Sequence, residues 1–449
     1  MSRGSIQCAV CEVCFVVAFL FAGALRAGEP QRTANTMTPP AELPSRQFTL
    51  ADLEQLALEH NPTMVQAAAA VDASRGKALQ AGLCPNPTIG YRADNIGIAG
   101  SAGEFQGGFV QQTIVTAGKL RLSRAKYNQE AFEAELRTLA QQYRVLNGVR
   151  MHFYELLALQ RTVDLNRGML DNANESLRTY KEMFNTGQAN RADLLLAEVA
   201  VNDAKIALRT LENRYPALWQ HLTALIGTPD RQPAPLQGQL ERLGPPLDWN
   251  ASLNRLLQES PELQAACAHV VYDQITLQRE KAEPVPNIQL QGSAGYSFES
   301  RNAVAGAGVG IELPLWNRNQ GTIREVEADL ARSRAEVTRV ELSLRQRLAD
   351  AFNRYQTALE TAQIYRDAII PPTSEAYEVQ LDMYKKRRTP WPQVVVLQRR
   401  VLDAKAKYTQ NLLELRQAEV AIAGLLLVDG LMVPPAPAGG HLEATPNPR

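Results

Sequence analysis

From about Phe48 to Gly227, and again from about Trp249 to Gly424, the chain carries the same succession of signals, displaced by about 200 residues. Each pass reads as a short helix, an X-Pro start to a second helix, a proline-bearing approach to a pair of small-residue strands, a very long helix, a tight turn and a long return helix. His60-Asn61-Pro62 opens the second helix in the first pass, and Glu259-Ser260-Pro261 does so in the other. Pro85-Asn86-Pro87 leads into one strand pair and Pro284-Val285-Pro286-Asn287 into its counterpart. A period this long exceeds any solenoid unit, so it marks duplication of a structural half. The halves are expected to pack about a pseudo-two-fold axis.

The organisation expected is a first repeat over 48–230, with strands near 87–96 and 104–114 and long helices near 119–185 and 190–226. A linker over 231–248 follows. The second repeat covers 249–428, with strands near 287–298 and 303–314 and long helices near 321–388 and 391–427. Ahead of these, Arg3, an apolar run from Val13 to Phe21 and the small-residue stretch Ala22 to Ala27 read as a signal peptide over 1–27. Residues 28–47 read as a flexible leader and 429–449 as a disordered tail. Past residue 30 no apolar stretch approaches the roughly 20 residues that a spanning helix needs, so membrane insertion of the mature chain must use strands.

The long helices carry coiled-coil seams. In the first, Val149, Leu156, Val163, Leu170, Leu177 and Phe184 recur every seven residues. Some 65 helical residues span about 100 Å, far more than a compact enzyme uses. The helix halts at Asn185-Thr186-Gly187-Gln188-Ala189-Asn190, where Gly187 can adopt a left-handed cap and Asn190 can cap the return helix. The second return helix repeats the seam through Val394, Leu397, Val401, Ala404, Tyr408 and Leu415, broken only at Asn411. Its outgoing partner carries Leu348, Tyr355, Ala362, Ile369, Ala376 and Met383, and Pro371-Pro372 predicts a kink or local break there.

The strand segments alternate. Ile89, Tyr91 and Ala93 oppose Gly90, Arg92 and Asp94, while Phe105, Gly107, Phe109 and Gln111 share a face. In the second pass Ala305, Ala307, Val309 and Ile311 oppose Gly306, Gly308 and Gly310. Runs of about 10 residues with one apolar and one small or polar face suit a tilted membrane strand. Four strands cannot close a barrel, and lipid tolerates no open edge, so several chains must complete it; three would supply twelve strands.

Chemistry for a catalyst is missing from the pattern. The formal net charge is zero, with 47 basic and 47 acidic residues, which argues against a nucleic-acid partner. His60, His152, His221, His269 and His441 are scattered, and Cys84 and Cys267 are the only cysteines beyond the N-terminal stretch. No metal, cofactor or catalytic motif is formed, so no enzyme is expected. Gly306-Ala307-Gly308-Val309-Gly310 places its glycines on alternate strand positions with no helix at once behind them, unlike a phosphate-binding loop.

Two stretches then carry a resemblance. Leu313-Pro314-Leu315-Trp316-Asn317-Arg318-Asn319-Gln320-Gly321 resembles the strand-to-helix junction of the TolC-like outer-membrane efflux family, and Phe184 to Leu195 resembles its periplasmic turn. Thr116-Ala117-Gly118-Lys119 stands at the equivalent first junction. The likeness covers about Phe48 to Leu427 and is nearest to the branch serving cobalt-zinc-cadmium and copper-silver pumps of the RND type. It implies a mainly α chain with four β-strands, assembled as a homotrimer: a twelve-stranded barrel in outer-membrane lipid, continued by coiled-coil hairpins as a periplasmic tunnel. It also implies a passive exit duct for metal ions or small toxic molecules, working with a periplasmic adaptor (membrane fusion) protein and an inner-membrane RND-type or ABC pump, with no cofactor.

By that resemblance the tips, where the adaptor would dock and the duct would gate, comprise Gly187, Gln188, Asn190, Asp193 and Leu194, with Arg387, Arg388, Thr389, Trp391 and Gln393. Gly118, Pro314, Asn317, Asn319 and Gly321 form the strand-to-helix junctions. The second tip departs from the family, which usually has a Tyr-x-x-Gly turn and often an acidic residue where this chain has Tyr384-Lys385-Lys386-Arg387-Arg388-Thr389-Pro390-Trp391-Pro392. Asp193 remains the acidic candidate. Two alternatives stay open: the same fold serving type I protein secretion or drug efflux, and a soluble periplasmic coiled-coil scaffold.

Overall fold

The computed structural model describes residues 48–96, 104–241, 245–386 and 388–432. The signal peptide, the leader, residues 433–449 of the tail and Arg387 of the second tip lie outside the described residues. In chain order the elements are α1 (Leu50–His60), α2 (Pro62–Ala81), β1 (Thr88–Asp94), β2 (Phe105–Ile114), α3 (Lys119–Asn185) and α4 (Arg191–Ile226). The second pass follows as α5 (Trp249–Glu259), α6 (Pro261–Ala282), β3 (Ile288–Ser297), β4 (Asn302–Ile311), α7 (Gln320–Ile364), a π turn (Tyr365–Ile369), α8 (Ile370–Lys385) and α9 (Trp391–Ala423).

Local chemistry sets the boundaries. Thr49 and Asp52 form a capping box at α1. Asn61 ends α1 and starts α2: its Oδ1 accepts from the Thr63 amide at 2.8 Å, and its Nδ2 donates to the Leu225 carbonyl at 2.6 Å. Pro62 follows in the first turn, where a missing amide hydrogen costs nothing. Ser260 and Pro261 occupy the same positions between α5 and α6.

The four strands form one antiparallel meander in the order β1-β2-β3-β4, with β2 and β3 joining the two repeats. Directly paired residues share a face. The register therefore collects Ile89, Tyr91, Val110, Ile114, Leu290, Ala307, Val309 and Ile311 on one side. Thr88, Arg92, Gln111, Gln289, Gln291, Ser293 and Asn302 share the other side with six glycines. Phe105 and Phe109, grouped with Gly107 and Gln111 by alternation, fall on this polar side. The Phe109 ring lies over Gly90, where a β-carbon would sit 2.5 Å from its Cε1. Gly107 and Gly295 oppose each other so closely that a β-carbon on either would meet the partner's Cα at 2.6 Å. β1 and β4 each leave one edge unpaired within the chain.

Each repeat has its own core. Leu53 and Ala57 of α1 pack with Val149, Phe153 and Leu156 of α3 and Trp219, Leu222 and Ile226 of α4. Leu256 of α5 packs with Leu344, Leu348 and Tyr355 of α7 and with Leu415 and Ile422 of α9. Ala158, Leu240, Ala362, Tyr408 and Leu412 join the two. A fully buried leucine such as Leu156 or Leu415 contributes about 1.5–3 kcal/mol. At the seam break, Asn411 bonds the Lys407 carbonyl at 2.8 Å, and its neighbour Leu412 takes the buried position.

The outgoing seams, those of α3 and of α7 with α8, lose burial toward the turns. Val149, Leu156 and Val163 are buried, whereas Phe184, at the end of the same stripe, is 41% exposed. In α7 burial stops at Ala362, immediately before the π turn, and no residue of α8 is buried. The single helix expected over 321–388 is interrupted here for a clear reason. Pro371 and Pro372 supply no amide donors, and the helix widens so that Ile370 N–H reaches back five residues to the Tyr365 carbonyl. Cys84 and Cys267 are exposed free thiols.

Candidate functional site: helix tips and strand junctions

The first tip is closed by backbone geometry. Gln188 N–H reaches the Met183 carbonyl at 2.8 Å and Gly187 N–H the Phe184 carbonyl at 3.0 Å, the paired bonds of a Schellman turn. That turn requires a left-handed residue, and Gly187 supplies it at φ +71°. Asn190 then caps α4: its Oδ1 accepts from Asp193 N–H at 2.9 Å, while the Asp193 carboxylate accepts from Asn190 N–H at 3.3 Å. Asp193 is thus half-buried and committed to a capping box, with Leu194 half-buried beside it and Gln188 fully exposed.

The second tip uses the same closure with different side chains. Arg388 N–H reaches the Met383 carbonyl at 2.9 Å, as Gln188 does to Met183. Pro390 stands at the N-cap of α9, where it offers no side-chain acceptor. Trp391 is 7% exposed and lies with its ring 4.8 Å from that of Tyr384. Gln393 accepts from Gln380 Nε2 at 2.8 Å, tying α9 to α8. Thr389 is half-buried, and Arg388 projects into solvent.

The two tips meet. Tyr180 of α3, Asp193 of the first tip and Pro392 of the second line one groove, and burial raises the Tyr180 hydroxyl above its ordinary value, with further push from Asp193 and Tyr384. Between α3, α4 and α9 runs a groove of about 450 Å³ lined by Ala173, Ser176, Tyr180, Asp193, Ala197, Ala204, Val395 and Arg399. Away from the groove on α4, Leu195, Val199 and Ile206 are exposed.

The junctions lie at the opposite end of α3 and α7. Gly118 caps α3 in left-handed geometry at φ +67°. Lys119, which the sequence offered only as the last residue of the junction motif, is 3% exposed and clamps the first junction to the second repeat. Its Nζ donates to the Val285 carbonyl at 2.6 Å and to Asn287 Oδ1 at 3.1 Å, and Thr116 Oγ1 donates to the Pro286 carbonyl at 2.6 Å. Burial pulls the Lys119 ammonium below the usual lysine value, opposed by Glu283 at 3.9 Å. The carbonyls that accept these bonds, those of Val285 and Pro286, lie ahead of β3, which starts at Ile288.

At the second junction the left-handed cap is Asn319, at φ +59°. Its Nδ2 donates to the Glu280 carboxylate at 2.7 Å, and its amide donates to Asn317 Oδ1 at 3.1 Å. Gly321 falls inside the first turn of α7 with open space around it, so the turn does not depend on it. β4 ends at Ile311, three residues before Pro314. Leu313, Leu315 and Trp316 stand exposed beyond it, Trp316 at 86%. Among the described residues no group of three or more His, Cys, Asp and Glu is placed to hold a metal, and no helix is long and apolar enough to cross a membrane.

Comparison with known proteins agrees with this architecture. A family model described as "Outer membrane efflux protein" matches residues 53–228 and again 252–426. The cobalt-zinc-cadmium resistance protein CzcC of Cupriavidus metallidurans is 25% identical over 381 residues, covering 84% of this chain and 90% of CzcC. Among solved structures, CusC aligns with a TM-score of 0.70 at 15% identity, over 84% of this chain and 91% of its own. The open state of the Neisseria gonorrhoeae outer membrane channel MtrE aligns with a TM-score of 0.70 at 17% identity, over 84% and 89%.

Proposed function

We propose, starting from the fact that this chain belongs to the outer membrane efflux protein family, that it is the passive exit duct of a multi-part pump. It is an outer-membrane efflux channel with a large helical portion in the periplasm. The observation that carries the finer reading is the sheet. One face is apolar, the other is glycine and amide, and both edges are unpaired. The ten-residue strands β2, β3 and β4, tilted, match the apolar band of a membrane barrel, about 25 Å tall. Such edges are untenable in lipid, so β4 of one chain pairs with β1 of the next, and three chains close twelve strands. Trp316 and its exposed leucine neighbours then sit where aromatic anchors sit, at the membrane boundary.

In this reading the tips form the periplasmic mouth. Docking of an adaptor protein on the grooves between α3, α4 and α9 shifts helix packing between a closed and an open arrangement, and energy comes from an inner-membrane pump of RND type. The similarity to CzcC supports metal ions as cargo. Fractionation tests the duct: a detergent-requiring, heat-resistant trimer in the outer membrane is expected, and a soluble periplasmic monomer would overturn it. Growth of a deletion strain across metals, drugs and dyes tests the cargo. Unchanged metal tolerance with reduced drug tolerance would refute the metal assignment.

A further inference from the structure

The two tips are equivalent in backbone and opposite in charge. Met183, Gln188 and Asn190 correspond position for position to Met383, Arg388 and Pro390, and the turn-closing bond is the same in both. Across Lys181 to Asp193 the first tip has two basic residues, Lys181 and Arg191, against two acidic ones, Glu182 and Asp193. Across the matching stretch, Leu381 to Gln393, Asp382 is the only acidic residue against four basic ones. Because the first tip closes without this charge, the turn itself does not demand it.

The charge is also free to act. Lys386 is paired with Asp382 at 2.5 Å, but Lys385 and Arg388 are exposed and make no ion pair among the described residues. The surface that presents them is stiff. Pro390 and Pro392 fix the backbone, Trp391 is buried against Tyr384, and Gln393 is bonded to Gln380. A preorganised cationic knob loses little entropy on binding and steers an oppositely charged partner toward itself.

We propose that the second tip recognises a carboxylate-bearing loop of a protein partner, with Lys385 and Arg388 as the specificity-determining residues. The occupant's sign follows from charge complementarity. Its nature as a helical hairpin follows from the groove beside the tip, walled by alanines that admit a further helix. This inference rests on the reading of the tips as a periplasmic docking end. The lipid around the sheet is excluded as the source of negative charge, since α3 places the tip about 100 Å from the junctions.

The test uses the purified full-length trimer in detergent and a disulfide-stapled helical hairpin carrying Glu residues in its loop, with a Gln-loop twin and phosphatidylglycerol vesicles as comparison probes. The Glu-loop hairpin is expected to bind about tenfold more tightly than the Gln-loop twin, with the advantage shrinking as salt rises. K385Q/R388Q should abolish that advantage, while R191Q at the first tip leaves it intact. Both changes are at exposed positions, and retention of the heat-resistant trimer reports folding independently. Equal binding of the two hairpins, an advantage that survives K385Q/R388Q, or vesicle capture through the same residues in place of the hairpin would each overturn the proposal. Failure to form an outer-membrane trimer would instead strike the exit-duct reading.

Discussion

His269 Nδ1 stands 3.0 Å from the Glu133 carboxylate, so α6 is fastened to α3 by a contact that depends on a proton. The imidazole is stacked on Tyr272 with ring centroids 5.5 Å apart, its Nε2 faces Asp273 at 3.9 Å, and Arg137 engages Glu133 from its own helix. The Glu133 hydrogen bond is the main reason that the His269 pKa lies above its ordinary value of 6.5; burial and Arg137 oppose the rise.

A histidine whose folded pKa is raised adds stability that is complete below its unfolded value and is lost as pH rises through the folded one. The melting temperature of the trimer should therefore fall as pH rises above about 6.5 and through the raised folded value, and His269→Gln should flatten that slope. Solvent at the half-exposed ring limits the effect to below about 1 kcal/mol. An identical pH slope in the variant would show that the contact is not felt.

The Gly107–Gly295 contact leaves no room for a methyl group: a β-carbon at Gly295 would lie 2.2 Å from the Gln106 carbonyl oxygen. Gly295→Ala should cost about 1–3 kcal/mol or more and reduce the yield of heat-resistant trimer. Gly292→Ala, three residues away in open space, should leave the yield unchanged. Equal yields would contradict the strand register.

Val110 and Gln111 are neighbours on opposite faces of β2. Val110→Arg places a charge on the apolar side at a cost of about 2–4 kcal/mol if that side meets hydrocarbon, whereas Gln111→Arg faces the polar side and should be tolerated. The readout is assembly in liposomes. Were Gln111→Arg the more damaging, the sheet would be facing the other way.

Gly187 and Gly76 predict opposite signs. At φ +71° an alanine at position 187 is strained by about 1 kcal/mol, which should quicken proteolysis at the first tip. Gly76 sits within α2 with nothing near a β-carbon, so Gly76→Ala should stabilise by about 0.5–1 kcal/mol. Melting curves and limited proteolysis separate the two.

Periodicity carried much of this architecture into view. The doubling, the long helices and the alternating strands all follow from spacing, because a single face of each element is asked to be apolar. What escaped were features that depend on contacts across the duplication. Lys119 reads as one basic residue among many until Val285 and Asn287 are folded against it. Asn319 assumes the role that Gly118 has in the first repeat because Glu280 holds its amide, while Gly321, the more obvious residue, has none. Phe109 fits on the polar face because Gly90 opposite it makes room, and the Phe105 ring lies by Gly107 of its own strand; alternation alone cannot tell which face is which. Of the tip residues, Asn190 was legible as the cap of the return helix, whereas the reciprocal bond that commits the Asp193 carboxylate to the Asn190 amide emerges from the fold.

The π turn gives the two arms different mechanics. α3 runs 67 residues without interruption, so torque applied at Gly187 travels along one continuous ladder of bonds to the buried Phe153 and Leu156. Torque applied at Arg388 meets the wider, more weakly bonded turn at Tyr365–Ile369 before it can reach Tyr355 and Leu348. One arm behaves as a drive shaft and the other as a slipping clutch, so a push on the second tip is spent locally while the same push on the first is felt in the core.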